Sequence, residues 1–423
     1  MIRPAENGSA KMQEAKLPRR DWFLLPLLSL LTICLMALSV SLIARRIYQV
    51  SKSTVYSCLI QTDRSTGVRA IPNTVCFQKD YETELTEYKF NNCGHRTGMP
   101  CEPKSPGTYR VVMLGSSMDF GASVPQEKSF AALLPGELSR RTGRKVEVYN
   151  ESMVGGFPRS AALRMNGVLA AKPDLILWVL APRDIRNASI VLLSDLDPTS
   201  KATAPAAVIM GSFWIRAWYR IKMSFTTNSF QDAVAAIWQH GLEVLRVSPS
   251  GVLFQHILYA SQTQYVKSYL MSPESEENGP DVGFLKVEPN ARWRSDLQWF
   301  DRDAAEIEGQ ANTAGVPLVA MLVPDRAQAA MLSMGEWPSG FDPYKLDDEV
   351  RHIISGHGGI YIEVLPDFRN IPNPVQYYFP IDGHPDARGH AIISEILAKE
   401  LTRGVVPGLG VAAQQQATLE QKR

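Results

Sequence analysis

The pattern of apolar and polar positions divides the chain into stretches of different character. From Trp22 to Ala44, "WFLLPLLSLLTICLMALSVSLIA" carries no charged residue. At about 1.5 Å per residue it reaches across a hydrocarbon core of about 30 Å, which predicts a transmembrane helix over 22–44. A cleaved signal peptide is the competing reading. Its apolar region would be shorter and would end at a small-residue cleavage site, and neither feature is present. Further along, "YRVVMLG", "KVEVYN", "PDLILWVL", "VPLVAMLVP" and "GGIYIEV" are short apolar runs bounded by Gly, Pro, Asn or Asp. Such runs fit buried parallel strands. Helical periodicity falls between them, over 129–141, 160–171, 297–314, 344–355 and 389–401, with Pro135-Gly136 expected to shorten or kink the first. Strands alternating with helices predict an α/β fold with a parallel sheet covered on both faces. Ligands of such sheets bind beyond the carboxyl ends of the strands, so the loops there are where chemistry is to be sought.

The alternation is interrupted over 188–294. "FWIRAWYRIKMSF" and "AAIWQHGLEVL" space aromatic and basic residues at a helical interval, predicting a helical insertion. Its apolar face is expected to pack on the main domain; a face resting on the membrane or guiding substrate is the alternative. Residues 46–107 form a cysteine-containing lead-in that ends at the connector "EPKSPG". Residues 108–403 form the main domain with its insertion, and 404–423 a flexible tail.

Charge changes the picture by exclusion. Lys and Arg number 44 against 43 Asp and Glu among 423 residues. No global field attracts nucleic acid, and no phosphate-cradling glycine loop appears. Arg3, Lys11, Lys16, Arg19 and Arg20 precede the apolar span and Arg45, Arg46 and Lys52 follow it. That bias predicts a cytoplasmic N-terminal tail over 1–21 and an extracytoplasmic remainder, periplasmic or at the cell surface. "PRRDWFLL" faintly resembles a twin-arginine export signal, but arginines beside an apolar run are commonly a topological flank. Cys34 lies in the span, whereas Cys58, Cys76, Cys93 and Cys101 cluster after it. An even, clustered set in an exported segment predicts two disulfides, their pairing left open. A zinc site is the alternative, and no C-x-x-C pair supports it.

Candidate chemistry lies in the loops after strands. In "RVVMLGSSMDFG", Ser117 follows an apolar strand and leads toward a helix. It is either a helix cap or a nucleophile beside amides that stabilise an oxyanion. In "YYFPIDGHPDARGH", Asp382, His384 and Asp386 precede the final helix. His384 can take a serine proton and Asp382 can orient its ring. Helix capping by these residues, or a metal site from Asp382, His384 and Asp386, is the alternative. His390 belongs to the helix.

These residues resemble the SGNH/GDSL hydrolase family, from about residue 91 to 401 with the insertion unmatched. "NNCGHR" and "GTYRVVMLGSSMDFG" resemble the lead-in and first block, in which Ser117 would be the nucleophile and Ser116 stands in place of the usual aspartate. "VEVYNESMVGG" resembles the second block. The resemblance implies an oxyanion-hole amide from Gly155, with Gly156 the neighbouring alternative, beside the amide of Ser117. "DGHPDARGH" resembles the last block and implies Asp382 and His384 as acid and base. "KPDLILWVLAPRDI" matches the third block with Arg183 where an oxyanion-hole asparagine is expected, a charged, planar group in place of a short amide. Arg183 is expected either to stabilise the oxyanion, to bind an acidic substrate, or to pair with Asp184. The resemblance implies a three-layer α/β/α sandwich with a five-stranded parallel sheet, no cofactor and no metal. It further implies a membrane-anchored serine esterase acting on acyl, chiefly acetyl, esters of envelope or secreted polysaccharide. An O-acetyltransferase supplied by a membrane acyl-donor partner and a non-catalytic carbohydrate-binding protein are the rival functions.

Overall fold

A computed structural model describes residues 20–48, 55–63, 67–188, 248–271 and 282–410. Most of the predicted insertion, including "FWIRAWYRIKMSF" and "AAIWQHGLEVL", and the end of the predicted tail lie outside the described residues. Helix α1 (Asp21–Ile47) contains the apolar span; over Trp22–Ile47 it is long and apolar enough to cross a membrane, and its side chains are almost all exposed. The lead-in folds into two antiparallel pairs, β1 (Leu59–Asp63) with β2 (Gly67–Ala70) and β3 (Val75–Gln78) with β4 (Thr86–Lys89). Disulfides Cys58–Cys76 and Cys93–Cys101 tie it together, which resolves the pairing left open by the sequence.

The main domain runs β5 (Thr108–Leu114), α2 (Ser117–Phe120), α3 (Phe130–Thr142), β6 (Lys145–Asn150), α4 (Pro158–Ala170), β7 (Leu175–Leu180) and α5 (Pro182–Arg186). It continues through α6 (Pro249–Leu258), α7 (Gln262–Leu270), α8 (Ala291–Thr313), β8 (Leu318–Leu322), α9 (Arg326–Met334) and α10 (Lys345–Gly356), and ends with β9 (Ile360–Tyr361), α11 (Leu365–Phe368) and α12 (Ala387–Leu401). The sheet is five-stranded and parallel, ordered β6-β5-β7-β8-β9.

Successive residues of a strand point to opposite faces, and here both faces are covered. Val112, Leu114, Ile176 and Trp178 pack with Met165 of α4, Phe300 and Ile307 of α8 and Val350 of α10. Val111, Met113, Leu175 and Leu177 pack with Phe130, Leu134 and Leu138 of α3 and Leu397 of α12. The molecule is therefore a three-layer α/β/α sandwich. At about 25 cal/mol per Å² of apolar area removed from water, this two-sided burial is the dominant force aligning the strands.

Two sequence expectations need correction. Helix α3 runs unbroken through Pro135 from Phe130 to Thr142. Its buried stripe of Phe130, Leu134 and Leu138 seats turns on both sides of the proline against the sheet, which offsets the lost backbone hydrogen bond. Helix α8 begins at Ala291, inside the stretch read as insertion: Asn290 accepts from the Trp293 amide as N-cap, and buried Trp293 belongs to the main core. The lead-in packs directly on the main domain. Cys58, Cys76, Tyr88 and Phe90 share one apolar cluster with Phe120, Ala122 and Met153 of the main domain.

Candidate active site

Strand β5 delivers Ser117 beyond its carboxyl end, as the first residue of the short helix α2. Capping does not occupy its hydroxyl. The cap residue is Ser116, whose amide donates to Asp119 Oδ2 at 2.7 Å. Ser117 Oγ instead lies 2.8 Å from His384 Nε2. The far end of the same turn is held by Arg96 of the lead-in. Its guanidinium donates to the carbonyls of Phe120 and Gly121 at 2.5 Å and of Val124 at 2.6 Å. It is stacked over the rings of Tyr88 and Phe120. Burial pulls Arg96 down to about 10, which leaves it charged at neutral pH.

Asp382 and His384 sit in a closed loop ahead of α12. The Phe379 amide donates to His384 O and the Gly383 amide to Phe379 O, both at 2.9 Å, and the Asp386 amide donates to Tyr377 O at 2.8 Å. Gly383, between Asp382 and His384, has φ +82°, a conformation that L side chains rarely adopt. The kink brings His384 Nδ1 to 2.6 Å from Asp382 Oδ2. The two side chains remain 18% and 28% exposed, so a substrate can reach them. Burial opposes the charged form of both, but their mutual attraction and hydrogen bonds outweigh it: His384 is raised above the ordinary imidazole value and Asp382 is lowered. Asp386 caps α12, accepting from the amides of Arg388 and Gly389 at 2.8 and 2.9 Å, so its carboxylate serves the helix. Among the described residues, no group of His, Cys, Asp and Glu is arranged to hold a metal ion. His390 is buried in α12, where its Nδ1 accepts from the Phe130 amide; burial lowers it to about 3, so it is neutral.

Gly155 follows β6 and Arg183 follows β7, at the same sheet edge as Ser117. Gly156 donates its amide to Met153 O at 2.9 Å, whereas neither the Ser117 nor the Gly155 amide donates within the protein among the described residues. Gly155 has φ +76°, a conformation that glycine adopts without strain, and open space about it. Arg183 is exposed and close enough to His384 and Asp382 to act on both electrostatically. It forms no ion pair with Asp184 among the described residues. Asp184 is buried, accepts from the Ala181 amide at 2.8 Å and is pushed up by burial to about 6.

Sequence reading missed the contribution of the lead-in. Besides Arg96, the loop joining β3 to β4 brings Asp80 and Glu82 beside the acid–base loop. Asp80 is raised by burial and by the Asp382 charge, while Gln78 and Ser123 hydrogen-bond it. Glu82 accepts from the amides of Ile381 and Asp382. Arg96 ends the "NNCGHR" stretch already singled out, but nothing in the local pattern marks Asp80 or Glu82.

No protein-family model matches the chain, and no curated protein matches it in sequence. Among solved structures, it is similar to a psychrotrophic esterase, EstA, from Pseudoalteromonas sp. at 8% identity and TM-score 0.35, covering 70% of this chain and 97% of that one. It is similar to a lipase/acylhydrolase from Enterococcus faecalis at 12% identity and TM-score 0.32, covering 69% and 95%. It is likewise similar to the lipase Lip_vut3 from a goat rumen metagenome at 11% identity and TM-score 0.33, covering 71% and 99%.

Proposed function

We propose that the chain is a serine ester hydrolase of the SGNH type, and the observation that carries this reading is the continuous contact Ser117–His384–Asp382. In the reaction, His384 Nε2 takes the Ser117 proton as Oγ adds to the ester carbonyl, while Asp382 holds the Nδ1–H side of the ring. The oxyanion accepts hydrogen bonds from the amides of Ser117 and Gly155. Arg183, in place of a neutral amide donor, adds a positive charge at the rim of the same hole. As the intermediate collapses, His384 gives its proton to the departing alkoxide and leaves an acyl group on Ser117. Water then adds to that acyl carbonyl, again losing a proton to His384, and the carboxylic acid departs with Ser117 Oγ reprotonated. No step needs a metal or an organic cofactor.

The span 22–44 anchors this domain with its N-terminus in the cytoplasm and the site outside. Clustered disulfide-bonded cysteines support that orientation, since they persist in oxidising compartments. Acetyl esters on envelope or secreted polysaccharide are the substrates that suit this compartment.

The test is hydrolysis of p-nitrophenyl acetate by the full-length protein in detergent. Turnover that disappears in Ser117→Ala supports the reading; turnover absent in the native protein, or unchanged in the variant, overturns it. Transfer to an added sugar in preference to water would redirect it to an O-acetyltransferase.

A further inference from the structure

Glu82 lies in the turn of the β3–β4 hairpin, even farther from Asp382 in sequence than Ser117 is from His384, yet its side chain is only 4% exposed and faces the acid–base loop. Its Oε2 accepts from the Ile381 amide at 2.9 Å and from the Asp382 amide at 2.8 Å, and Oε1 lies 3.1 Å from the Ile381 amide. From the opposite side, Arg326 at the start of α9 donates to the Pro380 carbonyl at 2.6 Å. Arg326 is itself fixed over the Tyr265 ring at 3.8 Å and attracts Glu82. The short run 380–382 is thus gripped between a carboxylate on its amides and a guanidinium on its carbonyl. Both contacts involve a charged partner, the stronger class of hydrogen bond.

We propose that Glu82, with Arg326 opposite, is a positioning residue: it clamps the backbone of Ile381 and Asp382 so that the Asp382 carboxylate is aimed at His384. This rests on the hydrolase reading of the site. Glu82 touches neither Ser117 nor His384 and serves catalysis only through the backbone it holds. The preceding loop residue Asp80 is separately anchored, its amide donating to Thr83 Oγ1 at 3.0 Å, and Lys79 Nζ donates to Thr83 O at 2.8 Å, so the hairpin presents Glu82 from a braced turn.

The clamp also joins parts of the chain that the sequence keeps apart. His256 Nε2 of α6 lies 2.9 Å from Glu82 Oε1, and the His256 ring stacks on Tyr48, just beyond the end of α1, at 5.3 Å. Helices α1 and α6 are in contact. Lead-in, anchor helix and insertion therefore meet at the residue that holds the acid of the triad.

The test compares native protein with Glu82→Ala and Glu82→Gln, all full-length in detergent. Amide hydrogen exchange over 377–386 is expected to quicken in Glu82→Ala and to be largely rescued in Glu82→Gln, which keeps an acceptor oxygen. Hydrolysis of p-nitrophenyl acetate is expected to lose kcat by up to about 100-fold in Glu82→Ala with KM nearly unchanged, since misplacing a catalytic group costs rate rather than ground-state binding. Exchange that stays native in Glu82→Ala overturns the clamp whether or not the protein hydrolyses anything. Quickened exchange with unchanged kcat overturns its role in positioning. Failure of the hydrolase reading is recognised separately, by native activity equal to that of Ser117→Ala, and in that event the exchange measurement alone decides the clamp.

Discussion

Ser117 Oγ and His384 Nε2 are 2.8 Å apart although 267 positions separate them in sequence. Neither residue is placed by its neighbours in sequence alone. Ser117 rides on the end of a central strand, and His384 is carried by a loop whose conformation depends on one glycine and on contacts from the lead-in.

The first consequence is a pH profile. In the proposed hydrolase mechanism the working form of His384 is the free imidazole, and the Asp382 carboxylate raises its pKa above the ordinary value despite opposing burial. Activity should therefore be low in acid and rise with pH through an apparent pKa above about 6.5. A plot of kcat/KM for p-nitrophenyl acetate against pH measures it. An acid limb below that value would contradict the raised histidine.

Arg183 lowers the proton affinity of His384 and stands where an oxyanion donor is expected. Arg183→Ala should lower kcat by about 100- to 1,000-fold, in keeping with loss of a transition-state donor, and shift the acid limb upward. Arg183→Asn should recover part of the rate without restoring the limb. Steady-state kinetics across pH separates the two effects.

Gly383 tests how far the acid–base geometry depends on backbone conformation. A Cβ there would meet nothing within 4 Å, so the cost of Gly383→Ala is conformational and not steric crowding. An L residue held in the left-handed region costs about 1 to 2 kcal/mol. Relief of that strain should turn Asp382 away from His384, with kcat falling about tenfold and the melting temperature little changed.

The Cys58–Cys76 bridge, spanning 18 positions, supports the apolar cluster that includes Phe120 of the nucleophile turn. Replacing both cysteines by serine should destabilise the lead-in by about 3 kcal/mol, the scale expected for closing a loop of this size. Thermal unfolding with and without the bridge measures it, and hydrolysis should fall in parallel.

Glu308 supplies a stability prediction far from the site. Burial in α8 pushes its carboxyl up to about 8, and its Oε1 has no hydrogen-bond partner among the described residues. A folded value raised above the unfolded one means that its contribution is fully present below about pH 4.3 and is lost as pH rises through about 8. Glu308→Gln removes that loss. The melting temperature of the variant relative to native protein should therefore climb between pH 5 and 8.

Much of the fold was legible in the chain. Runs such as "RVVML" and "LILWVL" are apolar at every position, and only a strand covered on both faces makes use of that, so a parallel sheet followed from burial alone. Ser117, Asp382 and His384 were legible as residue types at loop positions beyond strands. The Gly156 amide was not legible as engaged; the fold bonds it to Met153 O and leaves the Gly155 amide without a partner among the described residues. The unbroken course of α3 through Pro135 was not legible, because local propensity reports a missing hydrogen bond but not the packing that compensates for it.

By itself, then, the sequence determined the strand and helix order, the apolar span, and which side chains are candidates for proton-transfer and nucleophilic chemistry, because each depends on short-range periodicity or residue type. The tertiary structure decided that Cys58 pairs with Cys76, that Arg96 braces the nucleophile turn, and that Glu82 reaches the amides of Ile381 and Asp382. Those are contacts between segments distant along the chain. They leave no periodic trace in either segment, since what selects them is the shared burial of the lead-in against the main domain.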